Sequence, residues 1–356
     1  MNILWCSARN LGTDLSGTTQ SELCKSMVEL GNHVRLVSPG SSESDRFEHV
    51  RIPRWDVPGF HALTAANSMK SLWPELLEGR SVIIIDWQLA PMLAPKVPDV
   101  IPWFLMDRSP PAYSGMLARF QRRVWKSAWR LASSAASGGF TVSVGHTRMV
   151  RRLTGAQMNI QHVPAGVDGT RYRTMEENED ERLKIVYQGR LDRNRAVLDL
   201  IEIKARLDSY GIENTLSLAG YGDAVKKLQR HASEREGIEI LGKLEPRDVP
   251  GLLAGHHIGM LPMPRTEIWS IASPLKLVEY AAAGLHVVGI DHEGHRWEGQ
   301  EDWLHLIEGG RGWIERAART IMMLHRGGLE RSKQAQAAAA TRTWAASAQR
   351  MLDAMA

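Results

Sequence analysis

Ser273, Pro274, Leu275, Lys276 and Glu279 fall in one short stretch whose residue types and spacing can grip a phosphate beside a hydroxyl. Pro274 suits a first helical turn, where a missing N–H leaves nothing unbonded. Ser273 before it is a natural N-cap. Leu275, Val278 and Ala282 repeat at helical spacing, Gly284 is a stop signal, and Val287–Ile290 reads as a buried strand. The N-terminus of such a helix offers free N–H groups that bind phosphate together with the helix dipole. Lys276 stands in the first turn, where a lysine opposes the dipole and so has another reason to be there. Glu279, about one turn on, can take a hydroxyl next to the anion; the plain reading is a surface glutamate that merely suits a helix. A phosphate and a hydroxyl gripped side by side suggest a nucleotide sugar.

The first half of the chain carries a different set. Asp107 ends the apolar run Pro102–Met106 and is a candidate general base for an acceptor hydroxyl. A second reading stands beside it: Asp107 pairs with Arg108 or caps the turn that Pro110 and Pro111 stiffen. His146, in the turn expected after the run Phe140–Val144, is another candidate base. Histidines and carboxylates never fall at a metal-ligand spacing, so no metal site is expected.

These residues need two α/β domains to position them, and 356 residues suffice for two. Asn2–Trp5, a Gly/Ser-rich loop, a helix from Thr18 to Leu30 and His33–Ser38 open the chain as a βαβ unit. Val82–Asp86, Pro102–Asp107 and Phe140–Val144 continue as strands, with Gln161–Asp168 closing the first domain. The acidic run Glu176–Glu181 reads as a linker. Lys184–Gly189, Leu216–Gly220, Ile238–Gly242, Ile258–Pro262 and Val287–Ile290 are the second domain's strands, and Ala335–Ala356 reads as one closing helix. In open parallel sheets ligands gather at the carboxyl ends of strands, which is where Asp86, Asp107 and Gly145–Thr147 fall.

Charge is unevenly spread. Between Asp107 and Asp168 there is no acidic residue, against nine arginines and lysines. Gly115–Leu131 reads as an amphipathic helix with Leu117, Phe120, Val124, Ala128 and Leu131 on one side. Arg119, Arg122, Arg123, Lys126 and Arg130 lie on the other, and Trp125 and Trp129 border the basic face. That pattern suits an anionic lipid surface or a phosphate-bearing lipid acceptor; a core helix with a solvated basic back is the plain alternative. Nucleic acid explains it less well, because no binding fold is recognisable. Cys6 and Cys24 form no motif, Met1–Trp5 reads as a first strand rather than a signal peptide, and no run approaches a membrane span, so a cytoplasmic protein is expected, peripheral on the inner membrane face if the basic helix binds lipid.

The order of motifs resembles the GT-B glycosyltransferases, within them the family-4-like group, over nearly the whole chain. Gly17 stands in the place of that family's N-terminal glycine-rich loop. His162–Tyr172 looks like the segment ending its first domain. Tyr187-Gln-Gly-Arg190-Leu-Asp-Arg-Asn-Arg195 resembles its diphosphate-binding motif, Leu218-Ala-Gly-Tyr-Gly222 its Gly-x-Gly strand end, and Ser273–Gly284 its donor-site helix. Trp344 in the last helix also has a counterpart. There are three departures. Arg195 replaces a lysine, Ile271 stands eight residues before Glu279 where a glutamate is usual (with Glu267 displaced), and Asp107–Tyr113 replaces a histidine-bearing segment.

The resemblance implies two Rossmann-like α/β domains facing across a cleft, 1–173 for the acceptor and 184–334 for the nucleotide sugar. A linker at 174–183 joins them, and a C-terminal helix at 335–356 packs back toward the first. It implies a hexosyltransferase needing no cofactor or metal, with a saccharide or lipid-linked acceptor. Arg190 and Arg195 would clamp the diphosphate. Gly17, Gly189, Gly220, Gly222, Lys243 and the Ser273–Lys276 turn would line the donor, and Glu279 would hold the ribose. An epimerase on the same scaffold, or a catalytically silent binding partner, is the alternative.

Overall fold

The computed structural model describes residues 1–356 except 12–14, 42–44, 56, 58–59, 112–115, 173–181 and 299–300. The Glu176–Glu181 run, Gly115 and part of the Gly12–Gly17 loop therefore lie outside the described residues. The chain divides into two compact units, Met1–Ala165 with Trp344–Ala356, and Gly166–Thr343.

The first unit is built on seven strands: β1 (Asn2–Cys6), β2 (His33–Ser38), β3 (Glu48–Arg51), β4 (Val82–Asp86), β5 (Trp103–Met106), β6 (Gly138–Thr141) and β7 (Ile160–His162). They form one sheet in the order β3-β2-β1-β4-β5-β6-β7, all parallel, with Ile3 opposite both Val34 and Val82. Central strands reached from both faces must be apolar throughout, and Val82–Asp86 is buried at every position. The chain runs outward from β1 in one direction and from β4 in the other, so the switch point lies between them.

The second unit repeats the plan with β8 (Leu183–Arg190), β9 (Asn214–Tyr221), β10 (Ile238–Gly242), β11 (Ile258–Leu261), β12 (His286–Ile290) and β13 (Leu304–Ile307). Their order is β10-β9-β8-β11-β12-β13, again parallel, with the switch between β8 and β11. Its core is shared between sheet and helices. Ile185, Tyr187, Leu218, Met260 and Val288 come from the strands. Leu200, Ile203 and Leu207 of the helix Asp199–Ser209 join them, as do Ala317 and Ile321 of the helix Trp313–Arg326.

Two expectations shift. The run Phe140–Val144 is not all strand: β6 starts earlier, and Ser143 caps the helix Val144–Thr154 by accepting from the His146 N–H at 3.0 Å. His146 is therefore helical. The alanine-rich end is two helices, Lys333–Ala340 and Trp344–Met355. The Thr341 hydroxyl donates back to the Ala338 carbonyl, a local bond that competes with continuing the helix, and Thr343 bridges to Val167. The second helix packs in the first unit, where Ser347 donates to the Pro164 carbonyl at 3.0 Å.

Candidate active site

The switch point of the second sheet gathers most of the residues marked by the sequence. β8 ends in Gly189 and Arg190, β9 in Gly220 and Tyr221, and their registers place Gly189 beside Gly220. The approach there excludes side chains. A Cβ on Gly220 would lie 1.7 Å from the Gly189 carbonyl oxygen, and its φ of +143° is one that residues with side chains rarely adopt. A Cβ on Gly222 would meet the Leu191 carbonyl at 2.4 Å. These glycines let two strand ends converge.

Arg190 is pinned rather than loose. Its Nε and Nη2 donate to Asp192 at 2.9 and 2.8 Å, and its guanidinium lies 4.6 Å from the centre of the Tyr221 ring. The bidentate carboxylate raises the Arg190 pKa, and Arg190 in turn helps hold Asp192 below its ordinary value against partial burial. Arg195 ends a short turn whose next residue, Ala196, has φ +54°. Its guanidinium stacks 4.4 Å over Trp269, and its buried Nε has no hydrogen-bond acceptor.

Lys276 is the most telling group. The helix spans Leu275–Ala282 with Pro274 as its N-cap, so Ser273 and Pro274 stand one position further out than expected. Pro274 has the extended ψ of 119° that a cap residue needs. Lys276 then points inward. It is buried, its Nζ lies 3.8 Å from the centre of the Tyr187 ring, and no acceptor reaches that nitrogen. A Cβ on Gly189 would stand 3.2 Å from it, so the ammonium sits at the carboxyl end of β8. Burial, and then Arg195, push its pKa well below the ordinary lysine value.

Glu279 lies one turn on and accepts a short hydrogen bond from Gln188 of β8. Burial pushes its pKa up to about 7, opposed by Gln188, Arg171 and Lys276. His295 Nδ1 donates to the Ile290 carbonyl, 2.8 Å away, and burial holds its pKa down at about 3. The structure thus brings together Gly189, Arg190, Arg195, Gly220, Gly222, Lys276 and Glu279. Lys243 is exposed beyond β10, the edge strand two places from β8. Sequence reading missed Tyr187, Gln188, Asp192 and Trp269 as supports. Three of them lie inside or beside the quoted motif, but nothing in their spacing marked them.

In the first unit, several expectations are corrected. Gly17 is inside the helix Leu15–Glu29, where a Cβ would come 3.3 Å from Asn10 and Leu11 backbone atoms. It permits close packing of that helix on the preceding loop. Asp107 is fully buried, and its Oδ2 accepts from the indole N–H groups of Trp125 at 2.6 Å and Trp129 at 2.9 Å. His146 Nε2 lies 3.2 Å from the same oxygen and is itself buried. Burial raises the Asp107 pKa, but His146 and the two indoles outweigh it, and the net direction is down. The carboxylate is sealed from solvent, with Oδ2 shared by three partners and Oδ1 without a hydrogen-bond partner, so it is placed as an internal anchor rather than a surface base, and His146 is part of the same knot.

Trp125 and Trp129 do not border a lipid-facing surface. The helix Met116–Ala135 buries Ala118, Trp125, Ala128, Trp129 and Ala132. Phe120, expected inside, is 58% exposed, as is Met116 at 86%. The helix is rotated because Asp107 draws both indoles in, and Gly139 of β6 makes room: a Cβ there would come 2.8 Å from the Trp129 ring. Arg119, Arg122, Arg123 and Arg130 stay exposed, with Lys126 half-buried. Among the described residues no helix is long and apolar enough to cross a membrane, and no three metal-ligating side chains are grouped for an ion.

Residues 182–322 match the family model described as Glycosyl transferases group 1. No curated protein matches the sequence significantly. Solved structures align over nearly the whole chain. Sucrose-phosphate synthase from Thermosynechococcus elongatus has a TM-score of 0.80 at 14% identity, covering 99% of this chain and 97% of that one. WaaG, a glycosyltransferase involved in lipopolysaccharide biosynthesis, has a TM-score of 0.75 at 14% identity, covering 99% and 98%. Anabaena HepE in complex with UDP and glucose has a TM-score of 0.72 at 16% identity, covering 99% and 98%.

Proposed function

From a chain that has the GT-B fold and matches the group 1 glycosyl transferases over residues 182–322, we propose a hexosyltransferase that takes its sugar from a nucleotide-sugar donor and passes it to a hydroxyl of a saccharide acceptor. The observation that carries this reading is Lys276: a buried ammonium at a helix N-terminus, with no acceptor on its nitrogen. Such a cation is costly unless an anion completes it. As the bond to the sugar breaks, negative charge grows on the leaving diphosphate. Lys276, Arg190, Arg195 and the helix N–H groups stabilise that charge more than the ground state. In this reading they do the neutralising that a divalent cation does elsewhere, so no metal or other cofactor is required. Glu279 accepts the ribose hydroxyls. That HepE was solved with UDP and glucose supports the donor class.

The acceptor belongs to the first unit in this reading, without Asp107 as its base. A lipid-linked glycan at the cytoplasmic membrane face fits the exposed arginines of Met116–Ala135 with Met116 and Phe120 among them. The role of WaaG in lipopolysaccharide biosynthesis is in keeping with it.

A thermal-shift panel of nucleoside diphosphates and nucleotide sugars tests the reading, since ligands of the folded state raise its Tm. At least one nucleotide is expected to raise Tm in the native chain and to do so far less in Arg190→Ala, with turnover falling in parallel. Undiminished turnover in that variant overturns the proposal.

A further inference from the structure

Gln188 is buried near the carboxyl end of β8, one residue before Gly189 and Arg190. It reaches the helix Leu275–Ala282 at two consecutive residues. Its backbone N–H donates to the Tyr280 hydroxyl at 3.2 Å, and its side-chain amide donates to Glu279 Oε2. Tyr280 is fully buried and packs on β11, where a Cβ on Gly259 would stand 2.4 Å from its ring. These contacts fix the register of the helix on the strand, with Gln188 at the point of attachment.

The two oxygens of Glu279 are not equivalent. Oε2 is anchored by the Gln188 amide, while Oε1 has no hydrogen-bond partner among the described residues, on a side chain that is only half-buried. An ionised carboxylate only accepts, whereas a protonated one also donates. With Oε2 taking the amide N–H, a proton added at low pH goes to Oε1, the oxygen left for a ligand. Burial favours that proton, while Gln188, Arg171 and Lys276 oppose it, and the pKa is about 7. Arg171 and Tyr172 act on Glu279 from the turn Gly169–Tyr172, Lys276 and Tyr280 from its own helix. Burial above all, with Glu279 adding to it, raises the pKa of both tyrosines, so both stay neutral.

We propose that Gln188 is a positioning residue. It holds Glu279 by one oxygen so that the other meets the ribose hydroxyls of the donor, and the site thereby selects ribonucleotides over their deoxy forms. In this role Gln188 acts through Glu279 and not on the ligand. This deepens the transferase reading and rests on it.

Calorimetric titration of the full chain at about pH 7 with UDP, GDP and ADP, each beside its 2′,3′-dideoxy form, tests it. Whichever ribonucleotide binds most tightly should bind about tenfold better than its dideoxy form, the scale of a charge-assisted hydrogen bond. In Gln188→Met, a replacement of similar volume, that preference should shrink severalfold while the dideoxy form binds as it does to the native chain. Adding Glu279→Gln to Gln188→Met should change little further, because the two residues act as one unit. Any preference left in Gln188→Met should rise over a pH range about one unit higher than in the native chain, since the lost donor favoured the ionised form. Gln188→Asn, which keeps the amide but draws it back by one methylene, should show the same pattern and serves if the methionine protein does not fold. A merely structural role would weaken both nucleotide forms alike and leave the pH range in place, and either result overturns the proposal. So does a native chain that binds both forms equally. If no nucleoside diphosphate binds the native chain, the donor reading falls and this one with it; a missing ribose preference alone leaves the donor reading standing.

Discussion

Lys276 Nζ sits 3.8 Å from the centre of the Tyr187 ring, a cation whose nearest support is a π face rather than an acceptor. A ring face offsets only part of the lost hydration, so the ligand-free site holds Lys276 at a cost. Lys276→Met keeps the stem and removes the charge. It should raise the Tm of the ligand-free protein by a few degrees and weaken nucleotide binding by about tenfold or more, the scale of one charge-assisted contact. The sign of the pH effect follows from the lowered pKa. Between that value and the ordinary 10.5, the unfolded chain holds a proton that the folded chain lacks, so this group makes stability rise with pH through the window. At a pH inside that window, a bound diphosphate draws the proton back on. Calorimetry in two buffers of different ionisation enthalpy should detect proton uptake in the native chain and none in Lys276→Met.

Glu279 titrates in the opposite sense. Its folded pKa of about 7 lies above the ordinary 4.5, so its contribution to stability is full below pH 4.5 and is lost as pH rises through 7. Glu279→Gln should flatten the stability profile over that interval and leave the protein more stable than native at pH 8. An ionised carboxylate accepts two ribose hydroxyls where a protonated one competes as a donor. Nucleotide affinity should therefore climb from pH 6 to 8 in the native chain and stay level in the variant. Parallel profiles for the two proteins would remove Glu279 from the binding site.

How much of this was legible in the sequence depended on range. Strands with apolar cores, such as Val82–Asp86 and Ile238–Gly242, were read at their true bounds. The edge strands Glu48–Arg51 and Leu304–Ile307 were missed, the first because it is mostly polar and the second because His305 interrupts a run of only four residues. Lys276 and Glu279 were legible because helix spacing is local. The Tyr187 ring and the Gln188 amide that complete their surroundings come from a strand some ninety residues earlier, paired with them only through the sheet. Trp125 and Trp129 misled for the same reason. A tryptophan at the edge of a helical face is ambiguous until the distant acceptor, Asp107, is known.

That acceptor yields a separate prediction. Asp107→Asn can keep one oxygen where Oδ2 accepts both indoles, but it removes the charge that faces His146 and puts a buried NH2 where Oδ1 stood. It should destabilise the fold by about 3 kcal/mol while leaving turnover at temperatures well below its Tm within severalfold of native. Because the Asp107 pKa is lowered, the native chain should lose this stabilisation as pH falls below 3.8 and through the folded value, and the variant should not. A folded Asp107→Asn protein with turnover reduced by about a thousandfold would restore the general-base role.

The rotated helix Met116–Ala135 changes what a membrane test should find. With both tryptophans inside, the groups left to meet a membrane in the proposed reading are Met116, Phe120 and the exposed arginines. Each basic residue near an anionic surface contributes about 1 kcal/mol, screened by salt. The protein should float with vesicles rich in anionic lipid and not with neutral ones, and 0.5 M salt, an amount on the order of several times physiological, should release it. Arg119→Glu with Arg123→Glu should abolish flotation while leaving nucleotide binding intact. Equal flotation with neutral vesicles would dismiss an electrostatic surface.

Gly220 offers the sharpest steric test of the donor site. Its φ of +143° and the 1.7 Å that would separate a Cβ from the Gly189 carbonyl leave no room for alanine. The obstacle is backbone on the neighbouring strand, which cannot swing aside as a side chain would. Gly220→Ala must therefore spread the ends of β8 and β9, at a cost of about 3 kcal/mol or more. Those ends carry Arg190 and stand beside the Lys276 ammonium, so the damage should reach the ligand as well. Gly211, whose φ is also positive but whose Cβ would meet nothing within 4 Å, is the control. Alanine there pays the backbone strain alone, about 1 kcal/mol. Chemical denaturation and nucleotide titration of both variants should show Gly211→Ala mildly destabilised with native affinity, and Gly220→Ala strongly destabilised with affinity lost. If the two variants behave alike, the strand ends do not converge as closely as the turn requires, and the diphosphate grip must be sought away from Gly189.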